Sequence, residues 1–423
     1  MKDAAGYQLS GGDARAVDRL EQAFHQYRCF ADDPLASVDS ALQLAPELVM
    51  GHALRAWLML ASADGHAVPL ARDSLRAALA LPHNEREAMH LQAIGQWCAG
   101  QWRAAARTLE DLSLAYPLDA LALQAGHALD YFTGDARMLH DRIARAMPAW
   151  SASVPGWHFM LSMLAFGMEE NGHYAQAEKL GRQAVELQPR DAWGQHAVAH
   201  VLEMQGRRSE GIAWMEQNTG WKEPSALGVH NWWHLALQHL ALGDTGKVLA
   251  IYDAAIRRPE AAFQLELIDA SSLLWRLRLL DVDVGDRWTH IAAQWAPAAG
   301  LGWCAFNDWH AAMAFVMAGR DDALFTLSQA QAQALSRTDD ASRFLQHVGL
   351  AATQAVVAHG RGDYARTVEL LRPVRSASLP FGGSVAQRDL LDLTLIDAAR
   401  RSGQPTLAAA LQQERQARAT LRR

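Results

Sequence analysis

The sequence predicts an all-α fold, an α-solenoid of stacked helix pairs, on three observations. Ala and Leu are abundant, β-branched residues are comparatively scarce, and the 14 prolines fall mostly between apolar-periodic segments. Glycines stand at 65, 100, 134, 172, 206, 243, 319 and 362, with gaps of 34 to 43 residues and one of 76. Such a period marks a repeated unit of helix, tight turn and helix, in which Gly relieves backbone strain at the turn. Neither helix can bury its apolar stripe without the neighbouring unit, so the units must stack.

Along the chain, residues 1 to 30 carry a helical stripe through Ala16, Leu20, Ala23 and Phe24 and are expected to cap the array. Two stretches then set the register, GQWRAAARTLEDLSLAYP and GHYAQAEKLGRQAVELQP. Counted against the 34-residue tetratricopeptide frame, Gly172 falls at position 15, Tyr174 at 17, Ala177 at 20, Ala184 at 27 and Pro189 at 32. Gly100, Trp102, Ala105 and Pro117 take the same places one stretch earlier. The gap of 76 is near twice one repeat and predicts a degenerate unit over residues 265 to 300. Residues 218 to 228 and 376 to 384 interrupt the periodicity and read as loops, and 404 to 423 read as a charged terminal cap helix. The expectation is a tetratricopeptide-like right-handed superhelix of about nine helix pairs, one domain over residues 1 to 423.

Composition narrows the function. The net charge of −7 comes from interspersed acids and bases with no basic stripe, which argues against a nucleic-acid partner. The start MKDAAGYQLSGGD lacks the apolar core of a signal peptide, and no apolar run reaches the roughly 20 residues of a membrane helix. A soluble cytoplasmic protein is therefore expected. Cys29, Cys98 and Cys304 have no CxxC spacing, so neither a disulfide framework nor a zinc cluster of cysteines is indicated. No GxSxG, P-loop or dinucleotide fingerprint is present.

The 15 Trp and 18 His ask for an explanation. In the repeat frame the first helix of each pair turns positions 2, 5, 9, 12 and 13 inward. His196, His200 and Glu203 land on 5, 9 and 12, so HxxxHxxE presents two imidazoles and a carboxylate on one helical face. Glu87 and His90 take positions 2 and 5 of their unit, and His230 and Trp233 those of theirs. Two copies of Asn-x-Trp-His, NWWH at 231 to 234 and NDWH at 307 to 310, place Asn231, His234, Asn307 and His310 one step off that set.

This convergence suggests a site. The acid–base candidates are His200, His234 and His310 with Glu203 and Asp308, because buried imidazoles beside carboxylates have tunable pKa values near neutrality; Asp269 is a further such carboxylate. The ligand-binding candidates are His90, His196, His230, Asn231, Trp233, Asn307 and Trp309, with Trp97, Tyr131, Trp193, Trp232 and Trp303 as further walls. The bland alternatives stand beside them: a polar groove for peptide tails, Trp as packing, and Asn as a first-turn cap. No cofactor is expected and no metal ligand is assigned. Imidazoles at i and i+4 can nonetheless share a zinc, and HNWWH on the next helix offers a further pair. HAVAH lacks the Glu of HExxH. Cys304 lies six residues before His310, a spacing that does not set them side by side for thiol chemistry.

The stretches HAVAHVLEMQGRRSEGIAWM, HNWWHLALQHLALGD, SSLLWRLRLL and FNDWHAAMAF resemble the tetratricopeptide repeat protein 38 family of divergent helical-repeat proteins. The resemblance runs from near residue 10 to near residue 400 and is strongest from 157 to 315. It implies the helical-repeat fold and the clustering of His196, His200, Glu203, Asn231, His234, Asn307, Asp308 and His310. It implies no defined reaction. The expected function is binding of a small molecule or short peptide in a His/Trp/Asn-lined concave pocket, with His-mediated acid–base chemistry on it, and with His200, His234 and His310 converging on one cavity. The competing class is a non-enzymatic scaffold for a protein partner.

Overall fold

The computed structural model describes residues 1–222, 224–257 and 263–421. Residue 223 of the 218–228 loop and residues 422–423 of the terminal helix lie outside the described residues. Among these residues there is no strand, only the isolated bridges Lys2↔Gln8 and Ala31↔Ser225. No described helix is long and apolar enough to cross a membrane.

The helices follow one another as pairs. Ala14–Cys29 is followed by Pro34–Leu44, Val49–Ala61 by Ala67–Leu79, Glu85–Cys98 by Trp102–Ala115 and Ala120–Phe132 by Ala136–Ala146. Next come Trp157–Glu170 with Tyr174–Leu187, Ala192–Met204 with Arg208–Gln217, and Gly228–Ala241 with Thr245–Ile251. The last four are Gln264–Leu279 with Arg287–Trp295, Ala305–Met317 with Asp321–Ala334, Leu350–Gly360 with Tyr364–Val374, and Val385–Arg401 with Pro405–Leu421. Both segments expected to be caps are thus halves of helix pairs.

At least one residue at positive φ stands between the helices of every pair, just after the first helix, and it explains the glycine period; Asp32 and Gly285 add a second in two of the turns. The first is Gly at 100, 134, 172, 206, 243, 319, 362 and 403, but Phe30, Ala63 and Asp281 at the other three turns. Asp281, at φ 56, lies midway between Gly243 and Gly319, so the long gap contains two regular units. Asp tolerates the left-handed region through its short polar side chain, and here both its carboxylate oxygens also accept from Arg401 at 2.8 and 2.9 Å. In the second pair the turn is Ala63 at φ 55 rather than Gly65. Eleven pairs stand among the described residues, against the nine or so expected.

Contacts group the chain into two compact units. Unit 1 comprises residues 1–131, 135–201 and 214–231, and unit 2 comprises 132–134, 202–213 and 232–423. In unit 1 a core of Leu123, Ile143, Trp150, Phe159, Met160 and Met163 binds successive pairs together. Its first turn also meets its last loop: Asp32 N donates to Pro224 O at 2.7 Å and Ala226 N to Phe30 O at 2.9 Å. Arg190 holds Asp32 through two bonds of 2.7 and 3.1 Å beside that seam. In unit 2, Trp275, Trp295 and Trp309 are fully buried. Trp275 Nε1 donates to Thr394 Oγ1 and Trp295 Nε1 to Ser271 Oγ.

A Cβ at Gly172, φ 83, meets nothing within 4 Å, so Gly172→Ala tests backbone strain alone. It should lower unfolding stability by about 1 to 2 kcal/mol in urea titration, and an unchanged midpoint would refute the strained-turn reading.

Candidate functional site

The candidate residues sit on first helices, and the starts of those helices are tied to the neighbouring repeat. Asp119 and Asp191 each accept from a backbone N–H three residues on, in the manner of an N-cap. Each also takes a histidine from the preceding first helix: His90 Nε2 lies 3.1 Å from Asp119 Oδ2, and His158 Nδ1 lies 2.7 Å from Asp191 Oδ2. Trp57 Nε1 donates to His90 Nδ1 at 3.2 Å. An indole only donates, so that nitrogen carries no proton and Nε2–H donates to Asp119. Burial pushes the Asp119 carboxyl up, but His90 and Arg86 outweigh it and hold it well below the usual range. His90, a ligand-binding candidate, is therefore committed on both nitrogens to packing between repeats.

The two Asn-x-Trp-His copies do the same structural work with their first and third residues. Asn231 Nδ2 donates to Ala192 O at 3.3 Å, and Asn307 Nδ2 to Gln264 Oε1 at 2.6 Å. Ala192 and Gln264 are the first residues of the preceding first helices. The asparagines thus staple consecutive repeats rather than cap their own first turn. Trp233 and Trp309 are fully buried; the Arg276 guanidinium lies 5.8 Å from the Trp233 ring, and Phe306 and Phe381 surround Trp309.

The histidines of the two copies have different partners. His234 Nδ1 lies 2.9 Å from Glu203 Oε2, a buried imidazole–carboxylate pair in unit 2. His310 Nδ1 instead bonds the backbone oxygen of Phe306 at 2.8 Å, so it must carry the proton there. Burial drives the His310 pKa down to about 3, and the ring is neutral at physiological pH. Beside it in sequence, burial pushes the Asp308 carboxyl up to about 7 against a bond from Gln331 Nε2 at 3.3 Å. Asp308 is thus the group here that titrates near neutrality. Burial also raises the Cys304 thiol to about 11, which leaves no thiolate for the thiol chemistry considered above.

In unit 1 the imidazoles gather. His196 and His200, one turn apart on Ala192–Met204, meet His230 at the head of the helix Gly228–Ala241. One ring nitrogen from each lies within 4.8 Å of the others, and Nε2 of His196 is 3.0 Å from Nε2 of His230. Phe166 and Trp193 pack against the His196 ring at 5.3 and 4.8 Å. Glu169, 1% exposed, lies 3.4 Å from Nδ1 of His200. Sequence reasoning passed over Glu169, although the repeat frame could have found it: it precedes Gly172 by three residues, as Glu203 precedes Gly206.

Room for a ligand lies in unit 2. A cleft of about 310 Å³ is lined by Glu203, Arg208, Arg276, Asp389, Asp397 and Arg415 among others. Of the candidate residues only Glu203 reaches its wall, with His234 behind it. Arg276 is 7% exposed, donates to Ala386 O and leaves its buried Nε without a partner among the described residues. Arg415 pairs with Asp389 through two bonds of 2.7 Å. The lining thus mixes Arg and carboxylate side chains with leucines and Ile396, and holds no His, Trp or Asn. No model of a known protein family matches the chain.

The Asp308 environment predicts a pH signature. Its folded pKa lies above the unfolded value, so the native state binds more protons between about pH 4 and pH 7 and stability falls as pH rises through that window. Asp308→Asn should remove that loss, gaining up to about 4 kcal/mol at pH 8 at 1.36 kcal/mol per unit while changing little near pH 4. The contribution of His310, lost as pH falls below its unfolded value, is common to both proteins. Parallel urea-denaturation profiles of the two across pH would refute the burial argument.

Proposed function

We propose that this chain is a tetratricopeptide-like repeat protein, akin to the tetratricopeptide repeat protein 38 family, that binds a small anionic metabolite in the cleft of unit 2. The observation that carries the reading is the cleft itself. Its volume of about 310 Å³ suits a small molecule, and the guanidinium groups of Arg208, Arg276, Arg400 and Arg415 in its lining would favour a carboxylate or phosphate. Glu203 in the wall, hydrogen-bonded to His234, supplies a pair able to take up and return a proton at the bound molecule. Arg208, whose guanidinium reaches Gln238 at 3.3 Å, provides a second cation at the rim.

A second reading, peptide binding, is favoured by one feature of unit 1. Residues 3 to 10 lie against the helix Glu85–Cys98 as a peptide would: Arg86 holds Asp3 at 2.9 Å, Asn84 donates to Gln8 O, and Glu87 accepts from Ser10 N. A groove that clamps a carboxylate with Arg and the backbone with Asn is the lining an acidic peptide needs.

A thermal-shift screen of carboxylate and phosphate metabolites, followed by calorimetry, tests the first reading. A hit should lose at least tenfold in affinity in Arg208→Ala, with far-ultraviolet circular dichroism unchanged. Glu203→Gln should keep binding but abolish any turnover. Equal binding by Arg208→Ala, or no stabilising anion at all, would sink the cleft as the site.

A further inference from the structure

The imidazoles of unit 1 are not used by that reading. Three histidines from two consecutive first helices bring ring nitrogens within 4.8 Å of one another in a place walled by Phe166 and Trp193. His196 and His200 are 2% and 0% exposed. His90 lies between Trp57 and Asp119, and His158 against Asp191. His196 and His230 instead turn the same atom, Nε2, toward each other at 3.0 Å.

We propose that His196, His200 and His230 bind a divalent transition-metal ion, with zinc the ion best suited to the donors. Zinc takes imidazole nitrogens at about 2.0–2.1 Å in a tetrahedron, which sets its ligand nitrogens about 3.4 Å apart. The observed Nε2 pair, 3.0 Å apart, stands close to that edge. His196 and His200 have the four-residue spacing that puts two ligands on one side of an ion, and His230 approaches from the next helix. Glu169 supplies the other half of such a site. A metal-bound imidazole directs its second nitrogen to a carboxylate, which orients the ring and raises its basicity; Glu169 Oε2 lies 3.4 Å from Nδ1 of His200, assigning Nε2 of His200 to the metal. The all-nitrogen donor set disfavours magnesium and calcium, which prefer oxygen. A further donor, protein or water, completes the tetrahedron.

The test uses the full chain, freed of metal by chelation, dialysed, and titrated with zinc chloride in a calorimeter and with cobalt(II) in a visible spectrometer. The expected result is one ion per chain, the intense visible bands of tetrahedral cobalt, and a rise in melting temperature on adding zinc. His230→Ala, at the half-buried ligand, and the double variant His196→Ala/His230→Ala should lose both the bands and the melting shift. Glu169→Gln should keep the stoichiometry and weaken zinc by about 10- to 100-fold. Full cobalt bands in a folded double variant, or zinc binding no tighter than to that variant, would overturn the site. Anion binding that depends on Arg208 serves as the separate readout for unit 2, and it is expected to survive in His230→Ala.

Discussion

Each helix pair leaves an apolar stripe that only the next pair can cover, and covering it also buries the polar head of the next first helix. The structure depends on how those buried heads are satisfied. Asp119 and Asp191 cap their helices with one oxygen and take His90 and His158 with the other, while Asn231 and Asn307 reach back to the heads of the preceding helices. Left unpaired, each such group would cost on the order of 1–3 kcal/mol. His90, His158, Asn231 and Asn307 therefore serve repeat-to-repeat attachment.

Those attachments also show what could be read from the chain alone. The helical repeat was legible because seven of the glycines read as turns, from Gly100 to Gly362, do stand at positive φ between paired helices, and a glycine period survives where side-chain consensus does not. Phe30, Ala63 and Asp281 were not legible as turns, since nothing in their identity announces positive φ; only the spacing around Asp281 hinted at it. The inward frame brought out His196, His200 and His230 and would have included Glu169. It was silent on the partners that decide a histidine's role, such as the Trp57 indole on His90 or the Phe306 carbonyl on His310. The cleft residues Arg276, Asp389 and Arg415 are far apart in sequence and carry no local motif, so no spacing rule could have gathered them.

Burial has opposite consequences for neighbouring groups. His310 and Asp308 are two residues apart on one helix, and the same desolvation that keeps the imidazole neutral keeps the carboxyl protonated up to about pH 7. Their apparent suitability as an acid–base pair, judged by residue type, gives way to a neutral packing layer beside Phe306 and Phe381. The Glu203–His234 pair differs in place, because Glu203 lines a cleft.

The seam between residues 30–32 and 224–226 has a kinetic side. An open repeat array can nucleate anywhere and grow by nearest-neighbour steps. In unit 1, however, the first turn hydrogen-bonds to a loop that follows the sixth pair, and Phe30 stacks on Trp193 at 5.4 Å. The entropy of bringing these ends together must be met before their bonds contribute. Unit 1 thereby exchanges the fast, graded folding of a linear array for a later and more cooperative step, one that completes only when both ends of the unit are present.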